Sequence, residues 1–154
     1  MAISSKIPFT RQKYQEMQQQ VDVLRTELIA VKIRLKDARE MGDLSENGAY
    51  KYAKFEISRI NRELRTLVDL LERGEVVTPV SGSSSGFGSY VTLKTAQGKM
   101  TRYQLVSQYE SDPAHLKLSL ESPIAKAIAG KAAGSIVELE TPRGKVVYTV
   151  VAWE

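Results

Sequence analysis

The sequence predicts an α+β chain: an N-terminal antiparallel α-helical coiled-coil hairpin, then a small antiparallel β-sheet domain with one short helix. Three observations predict it. Apolar residues recur at alternating spacings of three and four over two long stretches, Tyr14, Met17, Val21, Leu24, Leu28, Val31, Leu35, Ala38 and then Tyr50, Ala53, Ile57, Ile60, Leu64, Leu67, Leu71. A short break at Met41-Gly42-Asp43-Leu44-Ser45-Glu46-Asn47 separates the two seams. After a serine- and glycine-rich stretch at 78–89 the hydrophobic period changes to two.

The elements follow in order. Residues 1–9 read as an extended lead-in, because Pro8 biases its neighbour away from helix. Thr10 is the expected N-cap of a first helix running from about Arg11 to Glu40. Gly42 suits its C-terminus, since glycine takes the left-handed conformation without a steric cost. A second helix is expected to begin at Asp43–Ser45 and to end near Arg73, with Gly74 as its stop. Neither helix is apolar enough to stand alone, so mutual burial of the seams must stabilise both. The predicted division is 1–77 for the hairpin with its acidic tip and 78–154 for the globular domain, with 78–89 as linker.

In the second half, Tyr90–Thr95 and Met100–Val106 read as strands joined at Ala96-Gln97-Gly98, and Leu116–Leu120 as a short alternating strand. Ser122-Pro123 announces a helix over Ile124–Ala129, with serine at the cap and proline where no amide donor is needed, closed by Gly130. Ile136–Thr141 and Lys145–Trp153 form a last hairpin.

Composition narrows the function. The chain of 154 residues carries 22 basic and 18 acidic residues, a mild excess that permits contact with nucleic acid or an acidic surface without demanding it. There is no cysteine, which excludes thiolate catalysis, disulfides and cysteine-ligated zinc and fits a cytoplasmic protein. No stretch approaches the roughly 18 apolar residues of a membrane span. The single histidine, His115, has no second histidine or cysteine with which to build a metal site or activate a serine.

Two features remain. Asp43 and Glu46 stand three apart at the break. One reading is a capping box, satisfying amide donors at the start of the second helix. The other is a pair of carboxylates able to share Mg²⁺, which takes only one or two protein carboxylates beside phosphate oxygens and water. The readings are compatible, since a cap can hold a carboxylate rigidly. Lys51, Lys54, Arg59, Arg62 and Arg65 follow within four turns, either as a solvated face or as a stripe that tracks phosphates.

The segments Gly42-Asp43-Leu44-Ser45-Glu46-Asn47 with Tyr50, Ser122-Pro123-Ile124-Ala125-Lys126-Ala127, Ile7-Pro8-Phe9-Thr10 and Phe87–Leu93 together resemble the bacterial GreA/GreB transcript cleavage factors, nearer the GreA branch. The likeness spans nearly the whole chain in the right order. It departs at Ala49, where many members carry an acid, and in a shorter Ser/Gly linker. The resemblance implies an FKBP-like second domain that docks on bacterial RNA polymerase while the coiled coil enters the secondary channel. There the tip acids would act on the 3′ end of backtracked RNA, and the polymerase would perform the cleavage, so the chain is not itself an enzyme. By the same resemblance Asp43 and Glu46 are the metal-directed acids, binding Mg²⁺ only within the polymerase complex; the chain has no cofactor of its own. Leu44, Ser45, Asn47 and Tyr50 support the tip, Ser122, Pro123 and Ile124 belong to the docking surface, and the basic stripe meets RNA or channel. The chain is expected to be a monomer with no membrane partner. Two alternatives stand beside this reading: a channel-binding regulator without cleavage activity, and a prolyl isomerase acting through the second domain.

Overall fold

The computed structural model describes residues 6–42, 46–78 and 86–154. The chain divides into two compact units, the first holding Met1–Lys6 and Tyr14–Gly74, the second Ile7–Lys13 and Glu75–Glu154.

The first unit is built on α1 (Arg11–Arg39) and α2 (Gly48–Arg73). Leu24, Val31, Ala53 and Ile60 are buried together, with Leu28, Leu35, Ile57, Leu64 and Leu67 packed around them. These are the two predicted seams. Cross-helix contacts descend α1 as they climb α2, which fixes the pair as antiparallel. Asn47 bonds Ala38, Arg34 lies 3.1 Å from Glu56, Arg59 lies 2.9 Å from Glu27, and the Tyr14 hydroxyl donates to the Leu71 carbonyl.

The helix ends differ from the expectation in instructive ways. α1 stops at Arg39, and Gly42 does sit at φ +121°, a conformation other residues rarely take. α2 begins at Gly48 rather than at Asp43–Ser45, and its N-cap is Asn47. A capping box led by Asp43 therefore does not start this helix. Gly74 adopts an ordinary extended φ of −81°. The helix ends there because the chain passes directly into a strand, not because glycine turns left-handed.

That strand, β2 (Gly74–Val76), pairs with β1 (Ile7–Phe9), so this part of the lead-in is a paired strand. Phe9 is wholly buried and its carbonyl accepts from the Val77 amide at 3.0 Å.

The second unit carries a five-stranded sheet of β3 (Tyr90–Thr95), β4 (Met100–Val106), β5 (Lys117–Ser119), β6 (Ile136–Thr141) and β7 (Gly144–Trp153), in the order β5-β4-β3-β7-β6. β3 pairs with β4 and with β7, and β6 with β7, all antiparallel. The β3–β4 turn is made by Gly98 at φ +88°. One edge departs from the antiparallel expectation, because β5 runs parallel to β4. A return in the same direction needs a crossover rather than a tight turn. The intervening segment supplies it with a 3-10 turn at Pro113–His115.

α3 (Pro123–Ile128) lies against β6 as a six-residue helix. Its Ala125 and Ile128 are buried, and Ile128 joins Val91, Leu93, Val137 and Val150 in the core. The alternation of β3 places Val91 and Leu93 inward, as period two requires.

Candidate functional site

The end of the hairpin is organised by Asn47. Its Oδ1 accepts from the Tyr50 amide at 3.0 Å, satisfying a donor at the open start of α2. Its Nδ2 donates to the Ala38 carbonyl at 2.6 Å, in the last turn of α1. One side chain thus joins the two helices across the break. The task needs an acceptor and a donor on one short side chain, and the asparagine amide supplies both on separate atoms. The Ala38 carbonyl also accepts from the Met41 amide, so two donors close the end of α1.

Tyr50 extends the same brace. Arg39 of α1 lies 5.8 Å from its ring centroid and Lys54 of α2 lies 5.4 Å from it. Both distances fall within cation–π range.

Glu46 directly precedes Asn47 and is exposed. It makes no hydrogen bond or ion pair with a described residue. Asp43, Leu44 and Ser45, three of the predicted site residues, lie outside the described residues. Among those described, no group of three or more His, Cys, Asp or Glu side chains converges to hold a metal. Mg²⁺ keeps several waters and commonly takes one or two carboxylates. Glu46 leaves its oxygens uncommitted among the described residues, three positions after an aspartate in sequence.

The predicted basic residues fall into different environments. Arg59 is engaged by Glu63 at 2.8 Å and by Glu27 at 2.9 Å. The hydrogen bond it donates to Glu63, reinforced by Glu27, holds its pKa above the ordinary value against some desolvation. It ties α1 to α2 and is not a free cation. Lys54 lies over Tyr50. Lys51, Arg62 and Arg65 are exposed and form no ion pair with a described residue.

In the second unit, Ser122 is the cap of α3. Its Oγ accepts from the Ala125 amide at 3.2 Å and donates to the Ser119 carbonyl at 2.7 Å. Ile124 is half-buried against the sheet core, while Pro123 is exposed. Of this predicted docking group, Pro123 is the member whose side chain is not already committed to the fold.

Sequence reasoning passed over Glu110. It is buried, 3% exposed, and its carboxylate accepts from the Thr10 amide at 2.9 Å and from the Thr10 hydroxyl at 2.7 Å. Lys117 Nζ lies 3.4 Å away. A carboxylate 100 residues distant in sequence therefore holds the cap residue of α1 inside the second unit. No local pattern signals it. Near this clamp a cavity of about 580 Å³ is lined by Tyr90, Arg102, His115 and Lys117 among others. Arg102 and Lys117 are matched there by Glu154 and Glu110, and His115 is hydrogen-bonded with Asp112, so the cavity offers little net positive charge to an anion.

Comparison with known proteins identifies the family. A family profile described as "Transcription elongation factor, N-terminal" matches residues 7–76, and one described as "Transcription elongation factor, GreA/GreB, C-term" matches residues 83–154. Transcription elongation factor GreA of Neorickettsia sennetsu is 37% identical over 156 residues, covering 97% of this chain and 96% of the relative. The protein of the same name from Thermosipho melanesiensis is 33% identical over 147 residues, covering 94% of each chain. Among solved structures, the GreA factor homolog 1 (Gfh1) of Thermus thermophilus is 30% identical over 97% of this chain and 99% of its own, with a TM-score of 0.46. Among the described residues, no helix is long and apolar enough to cross a membrane. The two matched profiles in order, with relatives above 30% identity along nearly the full length, place this chain in the GreA/GreB family of transcription elongation factors.

Proposed function

We propose that this chain acts in the cytoplasm on bacterial RNA polymerase, entering the secondary channel with its helical hairpin and stimulating the polymerase's own cleavage of backtracked RNA. The observation that carries the reading is Glu46, exposed and without a partner among the described residues, set against Asn47, which joins both helix ends. With 29 residues at ~1.5 Å each, α1 is about 44 Å long, a rod able to carry an acid to a recessed centre.

Asp43 and Glu46 would hold Mg²⁺ jointly with the polymerase and the RNA. When bound there, the ion would stabilise charge on the oxygens exchanged in phosphoryl transfer. The chain's own residues do the rest. Asn47 fixes the start of α2, the cations over Tyr50 brace the ring between the helices, and Glu46 is exposed with no partner among the described residues. The exposed face at Pro123 would meet the polymerase surface. The chain works as one copy and supplies no active site of its own.

The test separates activation from intrinsic catalysis. The purified chain with RNA and Mg²⁺ alone should leave the RNA intact. Added to an arrested elongation complex, it should shorten the transcript from the 3′ end. RNA cleavage without polymerase would overturn the reading, as would binding to the arrested complex with no gain in cleavage.

A further inference from the structure

Lys51, Phe55, Ser58, Arg62 and Arg65 recur along α2 at spacings of four, three, four and three, and all are exposed. That spacing gathers them on a single stripe. The buried residues Ala53, Ile60 and Leu70 belong to other positions of the turn. Phe55 is 67% exposed, and Tyr52, three residues before it, is 60% exposed. Side chains three apart on a helix are neighbours, so the two rings form one exposed aromatic surface within two turns of the start of α2. The hairpin does not need either ring for its seam.

The surroundings of the rings identify the occupant. Lys51, Arg62 and Arg65 lie on the stripe with no acid between them, the next position at this spacing being Asp69, which pairs with Arg73, and none of the three is in an ion pair with a described residue. An apolar protein surface would satisfy Phe55 and Tyr52 but would strip water from these cations without compensation. A nucleic-acid duplex would satisfy the cations but keeps its bases stacked within itself. Single-stranded RNA meets both requirements, because its phosphates match the cations and its unstacked bases offer flat faces to the rings.

We propose that Tyr52 and Phe55 form a base-stacking platform for single-stranded RNA, with Lys51, Arg62 and Arg65 neutralising its phosphates. Lys51 to Arg62 spans ~16 Å along the helix, so the strand runs along the rod. This deepens the functional reading above and rests on it only for the origin of the RNA.

The test uses the full chain and a fluorescently labelled RNA decamer in low salt, read by anisotropy. The wild type should bind with a dissociation constant below about 100 µM. Phe55→Ala and Tyr52→Ala should each weaken binding by roughly 5- to 100-fold while leaving the salt dependence unchanged. Phe55→Tyr should restore it. Arg62→Ala should instead flatten the dependence of log affinity on log salt by about 0.7. All three positions are exposed, and unchanged far-UV ellipticity checks that the variants fold. Absence of wild-type binding, or alanine variants that bind RNA like wild type, overturns the proposal. Loss of polymerase affinity with RNA binding intact also overturns it and makes the aromatic pair a protein contact. Failure of the functional reading is recorded separately, by cleavage in the arrested complex.

Discussion

Replacing Asn47 by alanine should destabilise the helical hairpin by about 2 kcal/mol, and the structure divides that figure into two parts. The cap contact from the Tyr50 amide to Oδ1 accounts for about 1 kcal/mol. The bond from Nδ2 to the Ala38 carbonyl accounts for about another 1 kcal/mol. The loss is not larger because the Ala38 carbonyl keeps the Met41 amide as a donor and is not left unsatisfied. Asn47→Asp separates the two parts. A carboxylate still accepts from Tyr50 and gains about 0.5 kcal/mol from the positive end of the helix, but it cannot donate to Ala38. Wild type should therefore be most stable, the aspartate variant intermediate and the alanine variant least. The assay is urea unfolding followed by helical ellipticity, with the cleavage assay run beside it. An alanine variant within about 0.3 kcal/mol of wild type would refute the reasoning, since surface changes away from such features are usually of that size. Equal losses for both variants would assign the whole effect to the cross-helix bond.

Three further outcomes follow from the second unit. Glu110→Ala should cost about 3–5 kcal/mol, because it strands Lys117 and the Thr10 amide, and hydrogen exchange should then accelerate at residues 10–13; unchanged exchange there would remove Glu110 as the clamp. Pro123→Ala should weaken polymerase affinity at unchanged stability, whereas Ile124→Asp should lower stability itself by burying a charge against the sheet core; a fully stable Ile124→Asp protein would contradict the packing. The Asp112 carboxyl is held below its ordinary 3.8 by the hydrogen bond with His115. Its contribution is present above that value and is lost as pH falls through the lowered one, so an NMR titration should give a midpoint below 3.8 that moves back toward it in His115→Ala.

The architecture was legible wherever a residue's role is set by its neighbours in sequence. The two seams announce themselves by period, and Ser122-Pro123 marks α3 because a cap and a first-turn proline are local devices. The start of α2 was misplaced because both Asp43 and Asn47 are good cap residues. What decides for Asn47 is a donor reaching Ala38, nine residues back, which no local rule contains. The direction of β5 was hidden for a related reason, since period two reports which face is buried and not which way a strand runs. β1 and β2 are three residues each, too short to show a period, and they exist because each covers the other's edge. Glu110 looks in sequence like any surface acid; its burial follows from a partner 100 residues away. Similarly, the five cations after the tip looked equivalent, but Arg59 is bound by two glutamates and Lys54 lies over Tyr50, leaving Lys51, Arg62 and Arg65 as the uncommitted charges.

On the proposed function, the acids at the end of the rod are the working part of this protein. The most direct measurement compares wild type with the Asp43→Ala/Glu46→Ala double variant for RNA cleavage in a stalled, backtracked elongation complex with Mg²⁺, alongside affinity for the polymerase. Wild type should accelerate cleavage, and the double variant should bind nearly as well but fail to accelerate it. A double variant that stimulates cleavage as wild type does would contradict it, and equal loss of cleavage and binding would make the acids part of the hairpin's structure.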